Sequence, residues 1–340
     1  MTAVFRSCSK ENTRIRRLAF ILDAFIFTHS TATFREHELT KMVQAFQKLS
    51  SNTKGALILL LAAAGFTIMS TLIKLTGQRI PVVQIIFIRQ LVMTLIMVPR
   101  FYQDFPQSLH TRRPGLQLLR ISVALIAMLA GFTAVINMPL ADATAIGFAK
   151  SFFVTIFAIL ILRESVGPRR WMATILGFCG VLVMLQPGGD SFSIYGVYAA
   201  IAAVAAGLVM VIIRLLSRTE APATILVYQA VGVGVVLAIP AYIYWQPPTT
   251  TEWILMILTG IAGYWSQMAN IYAYKFGEAS LLAPVEYTRL IYATIIGVIV
   301  FGNFPAPATI AGAIIVVIAS AYTIHRDAVS KRNAQRSLRE

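Results

Sequence analysis

Residues 140–162 read LADATAIGFAKSFFVTIFAILIL. The run is apolar and about as long as an α-helix needs to be to cross ~30 Å of hydrocarbon, yet it holds two charged residues, Asp142 and Lys150. A second apolar run, 279–301, opens in the same way. Glu278-Ala279-Ser280-Leu281 answers Asp142-Ala143-Thr144-Ala145 at an offset of 136, and at that offset Glu286 coincides with Lys150. Two matching runs with charges at equivalent positions predict a duplicated membrane fold rather than one isolated span.

Outward from these two, the sequence is a series of apolar runs. We count ten: 54–76, 82–99, 116–137, 140–162, 171–186, 194–215, 223–244, 253–274, 279–301 and 307–324. Turn and breaker residues separate them, among them Pro81, Pro114, Pro139, Pro168, Pro187-Gly188-Gly189, Pro222, Pro247-Pro248 and Pro305. Alternation of period two is absent, which argues against a transmembrane barrel. Further matches join the two halves. Ile88-Arg89-Gln90 answers Val227-Tyr228-Gln229 at an offset of 139, and Gly177 falls opposite Gly312. Five spans repeated twice put the second copy into the membrane from the opposite side. The expected fold is therefore all-α, with ten transmembrane helices as a 5+5 inverted-topology repeat and a substrate site near the midplane.

Composition agrees with this fold. Of the 340 residues, 57% are apolar and 13% charged, against roughly 45–50% and about 25% in soluble domains. The formal charge of +15 would suit nucleic acid, but its placement suits topology better. With the segment before the first span inside, eighteen cations fall on the cytoplasmic side. They include Lys48, Lys54, Arg112, Arg113, Arg169, Arg170, Arg214, Lys275 and the basic tail from Arg326 to Arg339. Arg79 alone falls outside. The positive-inside rule places both termini in the cytoplasm of a bacterial-type inner membrane, and no nucleic-acid partner is expected.

The expected domains are a cytoplasmic tail at 1–53, two five-helix repeats at 54–186 and 194–325, and a basic cytoplasmic tail at 326–340. The run Leu18–Phe27 is too short to span and contains Asp23, so the first segment reads as a disordered tail or as untranslated sequence with a start at Met42. Cys8 and Cys179 build no disulfide framework and have no metal-ligand neighbour. None of His29, His37, His110 and His325 lies in an apolar run, which excludes an intramembrane histidine relay. No HExxH, GxSxG, Cys/His cluster or ATP-binding motif is present. An enzyme is not expected, and neither a cofactor nor a metal is implied.

The stretch Met138-Pro139-Leu140-Ala141-Asp142-Ala143-Thr144-Ala145 leads through an apolar helix to Leu162-Arg163-Glu164, then past Trp171 to Gly177-Phe178-Cys179-Gly180-Val181. Phe276-Gly277-Glu278-Ala279, followed by Pro284 and Gly312, forms the second copy. The chain thus resembles the drug/metabolite transporter superfamily, EamA type, over about 54–325. Two residues depart from that pattern: Arg163 stands where the family carries Gly, and Asn303 where the second copy carries Glu. The resemblance implies a secondary transporter, with relatives that carry amino acids, vitamins such as riboflavin, S-adenosylmethionine and drugs.

Ionisable groups at membrane depth cost at least ~2.5–3.5 kcal/mol and normally face a cavity or a partner. Arg89, Lys150, Glu286 and Arg289 are such groups, whereas Lys74 and Arg120 lie nearer span ends and read as snorkelling side chains. Lys150 and Glu286 should face one cavity about 10 Å apart in depth. Arg289 can pair with Glu286 at i,i+3. Three cations against one deep carboxylate attract electron-rich or anionic groups and disfavour an exporter of cationic drugs. Glu286 is the side-chain candidate for proton coupling, although its cationic neighbours oppose that role. Phe153, Tyr228, Tyr264, Tyr287 and Asn270 are the aromatic and amide candidates for substrate contact. The expected substrate is a small polar metabolite taken up by the cell, a planar vitamin-like compound such as riboflavin first, with amino acids, S-adenosylmethionine or drugs as alternatives. A structural or flippase subunit is the alternative from another class, and a homodimer is compatible with the sequence.

Overall fold

The computed structural model describes residues 49, 51–103, 111–163, 168–185, 193–217, 219–276, 285–315 and 317–318. The tails, His29, His37, His110, His325, Cys8, Pro284 and the second tetrapeptide of the repeat lie outside them. The described residues form α1 (Ser51–Thr76), α2 (Val82–Gln103), α3 (Pro114–Asn137), α4 (Leu140–Gly147), α5 (Lys150–Leu162), α6 (Pro168–Leu185), α7 (Ile194–Leu216), α8 (Pro222–Ile243), α9 (Thr250–Phe276) and α10 (Thr288–Phe301). A further helical stretch covers 307–315. No strand occurs among the described residues.

Six segments are long and apolar enough to cross a membrane: Thr53–Thr76, Val82–Pro99, Pro114–Asn137, Leu140–Leu162, Ile194–Leu216 and Thr224–Ile243. The other helices are shorter or carry more polar groups, as α9 does with Ser266, Gln267 and Asn270. Leu61, Leu95, Leu160, Val235, Ile239 and Ile299 are each more than 60% exposed. A surface this rich in aliphatic side chains suits lipid and not water. Hydroxyls inside the helices donate to the carbonyl four residues back, as Thr67 does to Ala63 (2.9 Å), Thr133 to Leu129 (2.7 Å) and Thr259 to Leu255 (2.8 Å). Hydrocarbon supplies no water, so polar groups close on the chain itself.

The packing follows one pattern on the two sides of the chain. α1 lies along α9 and α3 along α7; α2 meets α9 and α3 meets α8; α2 and α8 meet each other, as do α4 and α10. Small residues permit the close approaches. A Cβ at Gly65 would collide with Ser266 Oγ, and one at Gly207 would come 2.8 Å from Phe153 Cβ and 3.1 Å from Lys150 O.

Run 140–162 is not one helix. α4 ends at Gly147, and the turn at Phe148-Ala149 tightens to i→i−3 bonds, Phe148 N–H to Ala145 O (3.1 Å) and Ala149 N–H to Ile146 O (2.9 Å), before α5 starts at Lys150. The other run also breaks, at Tyr287, which answers Phe148 at the offset of 139. Val285 and Glu286 are helical, Tyr287 is a turn, and Leu290 N–H bonds Tyr287 O at 2.9 Å. Thr288 Oγ1 donates to Val285 O (2.7 Å) and so satisfies a carbonyl beside the break.

Both runs also end alike. Arg163 caps α5 in the left-handed conformation (φ 54°, ψ 35°), and Gly302, at an offset of 139 from it, caps α10 at φ 65°. A left-handed cap favours glycine because a Cβ crowds the neighbouring carbonyl there. Arginine therefore stands at a position built for glycine. Arg163→Gly is expected to raise stability by up to ~1 kcal/mol, read as a higher melting temperature of the purified protein; a lower one would contradict this reading of the cap.

At the ends of α1 and α9, Thr249 and Glu252 form a capping box. Thr249 N–H donates to Glu252 Oε2 (2.7 Å), and Glu252 N–H donates to Thr249 Oγ1 (3.3 Å). Arg79 locks onto it, Nε to Glu252 Oε1 at 2.7 Å, and also donates to Pro247 O at 2.9 Å. Arg79 and these bonds hold the Glu252 carboxyl below its ordinary 4.5, at about 2. A depressed carboxylate stabilises the fold above its unfolded value and loses that contribution as pH falls through the folded one. Melting curves between pH 5 and pH 2 are thus expected to fall more steeply for wild type than for Glu252→Gln, in the range those two values set. Parallel curves would deny the pair a role.

Candidate functional site

The two helix interruptions face each other. Lys150 Nζ stands 3.7 Å from Glu286 Oε2, with about a quarter of each side chain exposed. The rings of Phe148 and Tyr287 meet edge to face at 5.1 Å and 61°. Phe153 lies one turn beyond Lys150, against Gly207 and the cluster that holds Phe148, Phe152, Ala199 and Ala203. Lys150 opens α5 directly after the turn at Phe148-Ala149, Glu286 directly precedes the turn at Tyr287, and their side-chain charges meet. A lysine–glutamate pair at 3.7 Å is an ion pair without a direct hydrogen bond.

Arg289 lies within electrostatic reach of Glu286, as the i,i+3 spacing predicts. Tyr287 interrupts the helix between the two, however, and the guanidinium lies 5.2 Å from the Phe66 ring of α1. Its Nε is buried with no hydrogen-bond partner.

The snorkelling expected of Lys74 and Arg120 is not what the structure shows. Lys74 is 6% exposed, and its Nζ donates to Met138 O (2.5 Å), Val135 O (3.3 Å) and Ile136 O (3.4 Å), which closes the open carbonyl end of α3. Asp142 lies close by. It is 8% exposed and is held by the Thr309 hydroxyl and the Ala306 backbone, so Glu286 is not the sole carboxylate taken out of water.

Arg120 is 1% exposed and donates to Ile225 O (2.7 Å) and Gln229 Oε1 (2.5 Å). Gln229 O in turn accepts from Gln90 Nε2 (3.3 Å), and Gln90 Oε1 accepts from Arg89 Nη1 (2.9 Å). The two glutamines that matched in the repeat thus bond each other between α2 and α8, with an arginine at each end of the chain.

The remaining candidates are spread out. Tyr264 packs with Met93, Met97, Leu226 and Trp265 between α2, α8 and α9, in a cluster separate from that of Phe148. Tyr228 is half-buried on α8 beside Gln229. Asn270, on α9, has its Oδ1 buried and unpartnered. Cys179 is exposed on α6. Among the described residues no His, Cys, Asp and Glu side chains gather as a metal site would require. An apolar groove of about 370 Å³ lies elsewhere, between α10 and the 307–315 stretch, lined by Leu290, Ile310, Ala313 and Ile314.

Sequence reasoning missed the bonded chain through Gln90, Gln229 and Arg120, although the matched glutamines were its signal. Gln229→Leu leaves Arg120 without its side-chain acceptor and is expected to cost about 1.5–3 kcal/mol, as for a hydrogen bond to a charged group. The check is unfolding of the purified protein in detergent, where an unchanged midpoint would deny the bond that weight.

The profile of the family described as "EamA-like transporter family" matches residues 53–186 and 194–324. An S-adenosylmethionine uptake transporter of Rickettsia prowazekii (strain Madrid E) is 26% identical over 289 residues, covering 85% of this chain and 98% of its own. A riboflavin transporter of Vibrio cholerae is 28% identical over 277 residues, with 79% and 92% covered. A pseudopaline exporter of Pseudomonas aeruginosa is 27% identical over 272 residues, with 78% and 94% covered. A solved crystal structure shares the fold at a TM-score of 0.57 and 18% identity, over 81% of this chain and 98% of that one.

Proposed function

The chain belongs to the EamA-like transporter family, a multi-pass membrane protein that transports small metabolites, and we propose that it is a secondary transporter of a polar metabolite with a planar ring. The observation that carries the reading is the meeting of two interrupted helices at Lys150 and Glu286. Discontinuous helices near the midplane are how transporter folds expose backbone and charge to a substrate while hydrocarbon surrounds the rest.

The same reading takes the architecture to be two five-helix repeats, 54–186 and 194–325, in inverted topology with both termini cytoplasmic. Three sets of matched positions support it: Gln90 with Gln229, Lys150 with Glu286, and the left-handed caps at Arg163 and Gly302. The exchange of partners between α1–α9 and α3–α7 supports it as well. Phe148, Phe153 and Tyr287 offer aromatic faces beside the ion pair, and Asn270 offers an amide in the same membrane-embedded bundle. Relatives named for S-adenosylmethionine and for riboflavin, both with planar heterocycles, match this chain at similar identity, so the two compounds are the first probes.

Cells expressing the chain are expected to take up one of the two labelled probes. Lys150→Met and Glu286→Gln should each lower that uptake by about tenfold or more, ~1.4 kcal/mol of lost recognition, while the protein still reaches the membrane. Uptake unchanged in both variants would remove the ion pair from the site.

A further inference from the structure

Arg89 is 3% exposed, and its environment does little for a cation. Its Nη1 donates to the neutral Gln90 Oε1 (2.9 Å) and approaches Met128 Sδ (3.9 Å), its guanidinium leans on the Phe132 ring at 5.7 Å, and its Nε has no partner. Gly263 of α9 makes the room: a Cβ there would come 3.0 Å from Nε, 3.2 Å from Nη2 and 3.2 Å from Met69 Sδ. The surroundings of the guanidinium, from α1, α2, α3 and α9, are thus thioether, aromatic ring, glycine and one neutral amide. No ion pair joins Arg89 to a carboxylate among the described residues.

A second guanidinium borders the same turn of α1. Arg289 lies over Phe66, one helical turn from Met69, and its Nε too is buried without a partner. A buried guanidinium that lacks a full counter-charge is costly to the fold. Its planar fork of donors matches a carboxylate in geometry as well as in charge. Glu286 pairs with Lys150 and lies within electrostatic reach of Arg289, whereas no carboxylate among the described residues forms an ion pair with Arg89.

We propose that Arg89 is the subsite for a carboxylate on the substrate, so that the transported metabolite pairs a planar body with a carboxylate group. The inference rests on the transporter reading and narrows it: a neutral flavin leaves the Arg89 guanidinium uncompensated, whereas a metabolite with an amino-acid-like end fills the subsite.

The test uses the purified full-length chain in lipid nanodiscs, with Arg89→Met and Arg89→Lys, and S-adenosylmethionine, its decarboxylated form and riboflavin as probes. Without ligand, Arg89→Met is expected to melt no lower than wild type, because it removes an uncompensated buried charge. S-adenosylmethionine is expected to bind wild type at least about tenfold more tightly than its decarboxylated form. That preference should vanish in Arg89→Met and return in part in Arg89→Lys. A clear loss of stability in ligand-free Arg89→Met would make the arginine a structural element and overturn the proposal. Equal binding of the two S-adenosyl probes, or no binding by either, would overturn it too. Uptake of riboflavin without binding of a carboxylate would leave the transporter reading standing while this one falls.

Discussion

Hydrocarbon offers nothing to a hydrogen-bond donor, and the arrangement of this chain follows from that constraint. Each polar group placed at membrane depth has to find its partner inside the protein or keep a cavity for one. Threonines and serines turn back on their own helices, Lys74 closes the carbonyl end of α3, and Arg120 directs its donors to a carbonyl and a glutamine. Among the described residues the groups that escape this closure are few: Nε of Arg89, Arg120 and Arg289, and one oxygen each on Gln117, Asp142 and Asn270. Three of the six belong to guanidinium groups, whose five donors are the hardest to satisfy inside a helix bundle.

The broken helices follow from the same constraint. An unbroken helix hides its backbone and can present only side chains, whereas the breaks at Phe148-Ala149 and at Tyr287 each lie directly beside a charged residue, Lys150 and Glu286. Gly207 completes the arrangement by letting α7 come against the backbone at Lys150. Position along the span, helix interruption and a small neighbour act together there; none of them alone would bring a lysine of one half to a glutamate of the other.

Much of this was legible in the sequence. The apolar runs, the matched tetrapeptides and the coincidence of Lys150 with Glu286 follow from counting residues, because a membrane fixes the length of its helices and a duplication fixes the offset. What could not be read was rotation about each helix axis. Lys74 and Arg120 lie near span ends, where a long side chain can either reach the interface or turn inward. Their inward course is set by the carbonyls of Val135, Ile136 and Met138 and by Gln229, all distant in sequence from the residue they hold. Arg289 shows a related limit: its spacing predicts a nearby Glu286, but not the ring of Phe66 on another helix nor the break at Tyr287. Arg163 shows a third, since an arginine gives no sign that its backbone occupies a left-handed cap.

The pair at the meeting point also bears on the history of the chain. If the two halves were identical and lay antiparallel about a twofold axis, each residue close to the axis would face its own copy. Gln90 and Gln229 come near that form, the side-chain amide of one donating to the backbone carbonyl of the other. A lysine in both halves would instead have set two ammonium groups against each other in a medium that punishes like charge, and a glutamate in both would have done the same with carboxylates. Opposite charges at equivalent positions are open only to halves that differ in sequence yet fold together. On the proposed reading of two inverted repeats, Lys150 and Glu286 are thus an asymmetry that fusion into one chain makes possible, and they would give the meeting point of the repeats two distinguishable ends.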